Sequence, residues 1–485
     1  MKRTSIQALV GLSLLAQPLA ASTQPVQHAI ERGLRRTIAI EGREDQRFAL
    51  AERMAHYRVP GVSIAIIEHC RLVDVRGFGH SAVGSGTVTP ETLFQAGSVS
   101  KPVAAVAALR LVEAGLLPLD TDIRSRLPSW NLAESPLLAG RHVTMRGLLS
   151  HTAGTTVSGM NGYEDGAPLP TIPQILNGLP PSNTPAVRVE TAPGTQWRYS
   201  GGGYVVAQAL MMEATGQSFP ELMARIVLRP IGMTRSSYQQ PMARYRRNRA
   251  AHGTSPDGSA LPGGWRVYPE MAAAGLWTTP RDLGRFAIAL ARSIRGEAGG
   301  LLQTKTTRQM MARGPGNWGL GVDVGPQGAP LQFGHTGRSI GFTSMIVMYP
   351  DTCQGAVVMT NGDEGGWLIR ELMRSIGDAY GWPDRRPSEV QEAVELTDEI
   401  ATRFVGTYRL RDHPGERFAI SRKPDGSLYW ARNGRVGRDL LPQGQTALFS
   451  PDSVMTIEAV EHAGPRVTTV RLGFGGGANL AERVE

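Results

Sequence analysis

A serine and a lysine on one face of a predicted helix are the residues best suited to chemistry. Ser98 ends a polar loop, and Lys101 follows three residues later, where the apolar run from Val103 to Val112 begins. Side chains three residues apart are neighbours on a helix, here at its positive end. A desolvated lysine loses its proton more easily and can accept the proton of a serine hydroxyl. The pair predicts a nucleophilic serine, and a helix-capping serine beside a solvated lysine is the alternative.

The composition favours the catalytic interpretation of Lys101. The chain contains 51 Lys+Arg residues, yet lysine occurs only at positions 2, 101, 305 and 423. A solvated cation in this protein is therefore nearly always an arginine. Arginine stays protonated in proteins and cannot replace a lysine that must act as a base.

Two further sites carry polar groups suited to catalysis. Tyr199 precedes a Gly-rich turn and a predicted helix from Val205 to Ala214, and it can act as a phenolate base or a proton relay. His335-Thr336-Gly337 lies at a strand edge and can present a polar group and a backbone N–H to a substrate. The alternatives are a buried core tyrosine that donates to a carbonyl and a structural histidine.

Other chemistries lack their signatures. Gly337-Arg338-Ser339-Ile340-Gly341 matches the nucleophile elbow of α/β-hydrolases, which must run from a strand into a helix. The segment Phe342–Tyr349 that follows is β-branched and aromatic and predicts a strand, so we reject the elbow. The sequence has no HExxH, no CxxC and no close pair of histidines, which predicts neither a metal nor a cofactor.

Length and charge limit the remaining function classes. At 485 residues the chain is long enough for two domains. The net charge of +9 is spread over single arginines and short pairs, with no basic run interleaved with aromatics. This pattern argues against nucleic acid as a partner and indicates a charged surface that keeps the protein soluble. The partner expected for the nucleophile above is a small-molecule or short-peptide substrate. The oligomeric state stays open.

The N-terminus has the pattern of a signal peptide over residues 1–22. Lys2 and Arg3 precede the apolar stretch Ile6–Ala16, and Leu19-Ala20-Ala21-Ser22 offers small residues for cleavage. No later segment is long and apolar enough to span a membrane. We therefore expect a periplasmic or secreted protein.

Strands at both ends of one long segment flank a helical middle. Val62–Ile67 and Leu72–Gly79 predict a hairpin before Ser98, and three strands follow near residues 331–337, 342–349 and 355–360. This order predicts an α/β domain over residues 40–383 whose antiparallel sheet is built from both ends. A linker at 384–397 precedes short strands over 398–485, which predict a small antiparallel β domain that can be separated near Pro387.

Three motifs in order carry a family resemblance. Ser98-Val99-Ser100-Lys101, Tyr199-Ser200-Gly201 and His335-Thr336-Gly337 resemble the motifs of the penicillin-recognising serine hydrolases, with class C β-lactamases, DD-peptidases, D-aminopeptidases and esterases as members. Flanking segments, Leu149–Gly154 among them, are also similar, and the resemblance covers roughly residues 45–380. It implies a β-lactamase-like fold. Residues beyond 397 resemble the lipocalin-like β domain of some members, most clearly at Phe404–Tyr408.

The resemblance also implies roles for the site residues. Ser98 becomes acylated, and Lys101 and Tyr199 share the proton transfers. The backbone N–H groups of Ser98 and Arg338 form the oxyanion hole. Gly201 and His335-Thr336-Gly337 contact the substrate.

Two departures from the family pattern bear on the substrate. Gly201 replaces an asparagine whose amide contacts the substrate, and His335 replaces a lysine that helps to hold a substrate carboxylate. Both favour peptides, other amides or esters over β-lactams. We expect hydrolysis of a small amide or peptide, D-amino-acid or peptidoglycan-related. The alternatives are an esterase and a slowly deacylating penicillin-binding sensor or non-catalytic binding protein.

The same resemblance implies a disulfide between the only two cysteines. In this superfamily the first and last strands of the sheet are antiparallel neighbours, which brings the turns that hold Cys70 and Cys353 to one edge. An oxidising compartment would preserve such a bond. The alternative is two unpaired thiols in neighbouring turns.

Overall fold

The computed structural model describes residues 24–382, 389–432, 435–474 and 477–485. The predicted signal peptide and the first part of the predicted linker lie outside these ranges. No helix in the described ranges is long and apolar enough to cross a bilayer. The helices are α1 (Gln24–Arg32), α2 (Leu50–His56), α3 (Ser100–Glu113), α4 (Met145–Leu149), α5 (Ile172–Asn177), α6 (Gly201–Thr215), α7 (Phe219–Met223), α8 (Met271–Ala274), α9 (Pro280–Arg295), α10 (Thr304–Met310), α11 (Gly365–Tyr380) and α12 (Asp398–Phe404).

The strands fall into a central sheet, three short pairs and a barrel. They are β1 (Ala39–Ile40), β2 (Gly61–Glu68), β3 (Arg71–Gly79), β4 (Phe94–Gln95), β5 (Tyr163–Glu164), β6 (Arg266–Val267), β7 (Trp277–Thr278), β8 (Phe333–Ser339), β9 (Phe342–Tyr349), β10 (Gln354–Thr360), β11 (Val390–Gln391), β12 (Gly406–Leu410), β13 (Arg417–Arg422), β14 (Leu428–Ala431), β15 (Arg438–Pro442), β16 (Ala447–Phe449), β17 (Met455–Ala463), β18 (Arg466–Phe474) and β19 (Gly477–Arg483).

The central sheet has the order β3-β2-β10-β9-β8 and is antiparallel throughout. Two of its strands precede the helical region and three follow it, which confirms the predicted assembly from both ends. Phe342–Tyr349 forms β9, so the elbow-like sequence before it turns between two strands rather than into a helix. The rejection of the nucleophile elbow is confirmed.

Both faces of the sheet are buried because helices cover each of them. Along β2, Ala65 and Ile67 point into the core shared with α3, α6 and α9. Val62, Ile64 and Ile66 point to the opposite core, shared with α1, α2 and α11. The alternation of side chains along a strand thus feeds two cores from one apolar run. Helix α1 lies before residue 40, the predicted start of this domain. Its buried residues Val26 and Ile30 nevertheless pack in the second core.

The buried helix α3 fixes the position of the serine motif. A single turn of 3₁₀ helix at Gly97–Val99 leads directly into α3. Every residue from Val103 to Leu109 is fully buried. Gly115, just beyond the end of the helix, has a φ of +71° that favours glycine. Ser98 therefore lies at the N-terminus of a helix held on all sides, as the sequence predicts.

The C-terminal strands β12–β19 close into an eight-stranded barrel. Alternate residues, such as Ile420, Leu428 and Ile457, fill its interior, and α12 packs with them through Ile400 and Phe404. Full closure pairs every strand edge of a sheet that would otherwise expose its backbone groups. The predicted small β domain is confirmed, and its form is a closed barrel.

The barrel and the hydrolase-like domain share buried contacts. The Arg53 guanidinium lies 2.6 Å from Oε1 of Glu371 and 3.3 Å from Oδ1 of Asp452, which belongs to the barrel. All three side chains are buried. Val436, another barrel residue, packs in the core beneath α11. These contacts change the expectation of separability, because truncation would remove one partner of a buried ionic network.

Cys70 and Cys353 form a disulfide in the structure. Cys70 lies in the turn between β2 and β3, and Cys353 lies in the turn before β10. Their Cα atoms are 5.0 Å apart, and the backbone N–H of Cys70 donates to the carbonyl of Cys353 at 3.2 Å. The pairing of β2 with β10 brings the two turns to one edge of the sheet.

Candidate active site

Ser98 and Lys101 are in direct contact at the start of α3. Lys101 Nζ donates to Ser98 Oγ at 2.9 Å and to the carbonyl of Ala273 at 2.9 Å. The lysine is only 2% exposed, and both acceptors are neutral oxygens. A single hydrogen bond thus joins the lysine nitrogen to the serine oxygen and gives a direct path for a proton between the two side chains.

Tyr199 lies beside this pair. Lys101 Nζ is 5.0 Å from the centroid of the Tyr199 ring, and both residues line the cavity that contains Ser98. Tyr199 ends the loop before α6, and Ser200 caps that helix by accepting a hydrogen bond from the N–H of Gly203 at 2.9 Å. The cap fixes the chain direction next to Tyr199. The three predicted catalytic residues are therefore neighbours in the fold.

His151 packs against the ring of Tyr199, although no role was predicted for it from the sequence. Its ring centroid is 4.3 Å from that of Tyr199, and its Nδ1 accepts a hydrogen bond from the N–H of Ser200 at 3.0 Å. Burial, and next the charge of Lys101, lower the pKa of His151 well below its usual range. His151 is thus a neutral imidazole that packs against the tyrosine. The sequence signal for His151 is its place within Leu149–Gly154, one of the segments that resemble the family.

His335 is buried next to the same group but opens to a different space. Its Nδ1–H donates to the carbonyl of Thr336. Burial, and next the nearby Lys101, lower its pKa to about 3, so the ring is neutral. His335 and Thr336 line a cavity of about 70 Å³ beside Trp318, and they do not line the larger cavity above Ser98. Direct contact of these two residues with a substrate at Ser98 stays a prediction.

The backbone of β8 runs against the turn that carries Ser98. A Cβ atom on Gly97 would lie 2.6 Å from the backbone nitrogen of Arg338. A Cβ on Gly337 would lie 2.0 Å from the carbonyl oxygen of Ala96. Only glycine permits this approach, which brings the backbone N–H groups of Ser98 and Arg338 onto adjoining segments. Gly337 therefore has a packing role between strand and turn.

The cavity above Ser98 has a volume of about 400 Å³. Lys101 and Tyr199 line it with Ser98, whereas Met160, Gly201, Ala273 and Ala274 form a wall of small and apolar groups. Such a space accommodates a small-molecule or short-peptide group. The cavity brings together Ser98, Lys101, Tyr199, Gly201 and Arg338 of the predicted site residues.

The loop at 157–161 covers the position where Gly201 lacks a side chain. A Cβ on Gly201 would lie 3.2 Å from the terminal methyl of Met160 and 3.3 Å from the carbonyl oxygen of Ser158. The loop also brings Asn161 to the cavity wall. A segment remote in sequence thus fills the space beside Gly201, which the motif alone does not indicate.

Opposite charges meet at the rim of the cavity. The Arg338 guanidinium donates from Nη2 to Oδ2 of Asp363 at 2.6 Å. The Arg338 side chain is 56% exposed, whereas that of Asp363 is 5% exposed. Asp363 also accepts a long hydrogen bond from the N–H of Gly341 at 3.4 Å. The pair ties β8 to the loop that follows β10.

The family model described as Beta-lactamase matches residues 48–379. The chain belongs to the Beta-lactamase family. The match covers α2, the central sheet, the helical region and nearly all of α11, and it contains every residue placed at the site above. No group of three or more potential metal-binding side chains occurs in the part of this family member that the structure describes.

Similar proteins include penicillin-binding and esterase members. Penicillin-binding protein 4 of Amycolatopsis lactamdurans is 27% identical over 74% of this chain and 95% of its own length. Esterase EstB of Burkholderia gladioli is 30% identical over 44% of this chain and 54% of its own. An octameric penicillin-binding protein homologue from Pyrococcus abyssi has a TM-score of 0.58 and 22% identity, and the match covers 89% of this chain and 98% of that one. The last likeness concerns the fold.

Proposed function

We propose that this protein is a serine hydrolase that works through an acyl-Ser98 intermediate. The direct hydrogen bond of 2.9 Å between Lys101 Nζ and Ser98 Oγ carries the proposal, because it places the proposed base next to the proposed nucleophile. Membership of a family of serine hydrolases supports it.

In the proposed acylation step, Lys101 acts as the base and takes the hydroxyl proton while Ser98 Oγ attacks the substrate carbonyl. The carbonyl oxygen gains negative charge, which the N–H groups of Ser98 and Arg338 stabilise. Such a donor contributes about 3 kcal/mol in enzymes where it has been removed. The leaving group then departs with a proton supplied by Lys101, with Tyr199 as the relay between them.

Deacylation reverses the proton path. Water attacks the acyl carbon, and Tyr199 together with Lys101 accepts its proton. The tetrahedral intermediate collapses and Ser98 Oγ regains a proton as the acid product leaves. The neutral His151 and His335 rings next to these groups add no second positive charge beside Lys101 when it holds the proton.

We propose a small amide or peptide, D-amino-acid or peptidoglycan-related, as the substrate. The cavity of about 400 Å³ suits such a molecule. Asn161, whose side chain carries an amide, lines the same cavity. Esters are the second candidate, because an esterase is among the relatives.

Activity profiling of the purified protein tests these proposals. The substrates are a D-amino-acid amide, a D-Ala-D-Ala peptide, a chromogenic ester and a cephalosporin, with Ser98→Ala as the control. We expect turnover of the amide or peptide, and preferential ester turnover would support the second candidate. Penicillin labelling without turnover of any substrate would instead identify a slowly deacylating sensor.

We also propose that the protein is exported to the periplasm or secreted. The disulfide between Cys70 and Cys353 requires an oxidising compartment to persist, and relatives include bacterial penicillin-binding proteins. N-terminal sequencing of protein recovered from the periplasm or medium should begin near residue 23. An intact Met1 on the recovered protein would contradict export by signal cleavage.

A further inference from the structure

The C-terminal barrel reaches the rim of the active-site cavity through the segment before β15. Val436 is buried in the core beneath α11, and the Arg438 guanidinium carbon lies 3.5 Å from the centroid of the Trp367 ring. Trp367 belongs to the first turn of α11, directly after the loop that holds Asp363. These two anchors hold the barrel segment against the part of the hydrolase domain nearest the cavity.

Arg435 directly precedes Val436, the first of these anchors, in the chain. Its Nη1 donates to Oε1 of Glu364 at 2.7 Å and lies 3.9 Å from Oδ2 of Asp363. The Glu364 and Asp363 side chains are only 3% and 5% exposed. Two adjacent buried carboxylates are therefore matched by two guanidinium groups, one from each domain. Asp363 binds Arg338, whose backbone N–H belongs to the proposed oxyanion hole.

We propose that Arg435 is a positioning residue through which the barrel holds β8, which carries the Arg338 N–H of the proposed oxyanion hole, in its active geometry. Without Arg435, the buried Glu364 carboxylate has lost its ion-pair partner and lies next to the Asp363–Arg338 pair. An unpaired buried charge is strongly unfavourable, so Glu364 would draw Arg338 away from Asp363 or leave its pocket. Either change displaces the end of β8 and the N–H of Arg338. The inference rests on the serine-hydrolase function proposed above.

The test compares Arg435→Met with Arg432→Met. Arg432 lies in the same barrel segment, but its ion-pair partner is Glu416 within the barrel. We expect Arg435→Met to lower kcat with a chromogenic ester by about tenfold and to leave KM within about twofold, as expected for a contact that matters only in the transition state. Arg432→Met should leave both constants within about twofold of the wild type.

A second pair of variants separates positioning from general destabilisation. Arg435→Met/Glu364→Gln removes both charges, so no carboxylate is left unpaired, and kcat should return to within about threefold of the wild type. Arg435→Lys should also retain most of kcat. Equal kcat values for Arg435→Met and Arg432→Met would overturn the inference, and so would a double variant that is no better than Arg435→Met. If Arg435→Met does not fold, the double variant still decides: a kcat near the wild type supports positioning, and a tenfold loss contradicts it.

Labelling of Ser98 by a fluorophosphonate distinguishes this inference from the proposed function. Labelled wild type with no difference between the Arg435 and Arg432 variants would refute the role of Arg435 alone. Absence of labelling and turnover in the wild type would refute the hydrolase function itself.

Discussion

Replacement of Lys101 by arginine tests whether this residue must lose a proton. Arginine keeps the positive charge but cannot be deprotonated, and its planar guanidinium is larger than the ammonium it replaces. In the structure, Lys101 is only 2% exposed, and its Nζ lies 2.9 Å from each of two oxygens. A positioned base contributes about 10²–10⁴-fold to a rate. We therefore expect Lys101→Arg and Lys101→Met each to lower kcat by about 10³-fold.

The assay for Lys101 is the initial rate with a chromogenic ester, with the melting temperature measured in parallel. Lys101→Met leaves the buried carbonyl of Ala273 without this donor, which costs on the order of 1–3 kcal/mol, so the variant should still fold. Lys305→Arg is the matched control because Lys305 is exposed in α10, and its activity should equal that of the wild type. If Lys101→Arg retains more than about a tenth of wild-type kcat, Lys101 acts as a fixed charge and not as a base.

Three further predictions concern pH, domain contact and the disulfide. Because the pKa of His335 is lowered to about 3 from 6.5, the unfolded state binds a proton first, and stability should fall as pH drops from 6.5 towards 3. His335→Gln should flatten this slope by up to about 1.4 kcal/mol per pH unit in urea melts, and an unchanged slope would contradict the buried neutral ring. A chain that ends at Tyr380 should lose solubility, because Arg53 and Glu371 lose Asp452; a soluble fragment labelled at the full-length rate would show independent domains. The denatured, unreduced protein should show no free thiol, and reduction of the bond, which spans 283 residues, should lower stability by about 5 kcal/mol on the chain-entropy model; two titratable thiols would rule the bond out.

Local sequence signals predicted the position of Ser98 and its surroundings well. Ser98 and Lys101 are three residues apart, so the helix alone brings them together. The strands on either side of the helical region alternate or run apolar, and they do form one sheet. The interpretation of Phe342–Tyr349 as a strand excluded the elbow for the same local reason.

The parts that sequence reasoning missed depend on contacts between distant segments. His151 packs against Tyr199 across 48 positions of the sequence, and nothing near either residue specifies that contact. The loop at 157–161 covers Gly201, and Arg435 reaches Glu364 from another domain. The separability of the β domain stays a prediction, and no local signal in the sequence indicates the buried Arg53–Asp452 contact that bears on it.

The most direct test of the account is the identity of the acylated residue. The protein is incubated with a fluorophosphonate and, separately, with a slowly hydrolysed ester, and the adduct is located by peptide mass spectrometry. The account predicts one adduct per chain on the peptide that contains Ser98, and none in Ser98→Ala. An adduct on Ser339, or one that persists in Ser98→Ala, would contradict it.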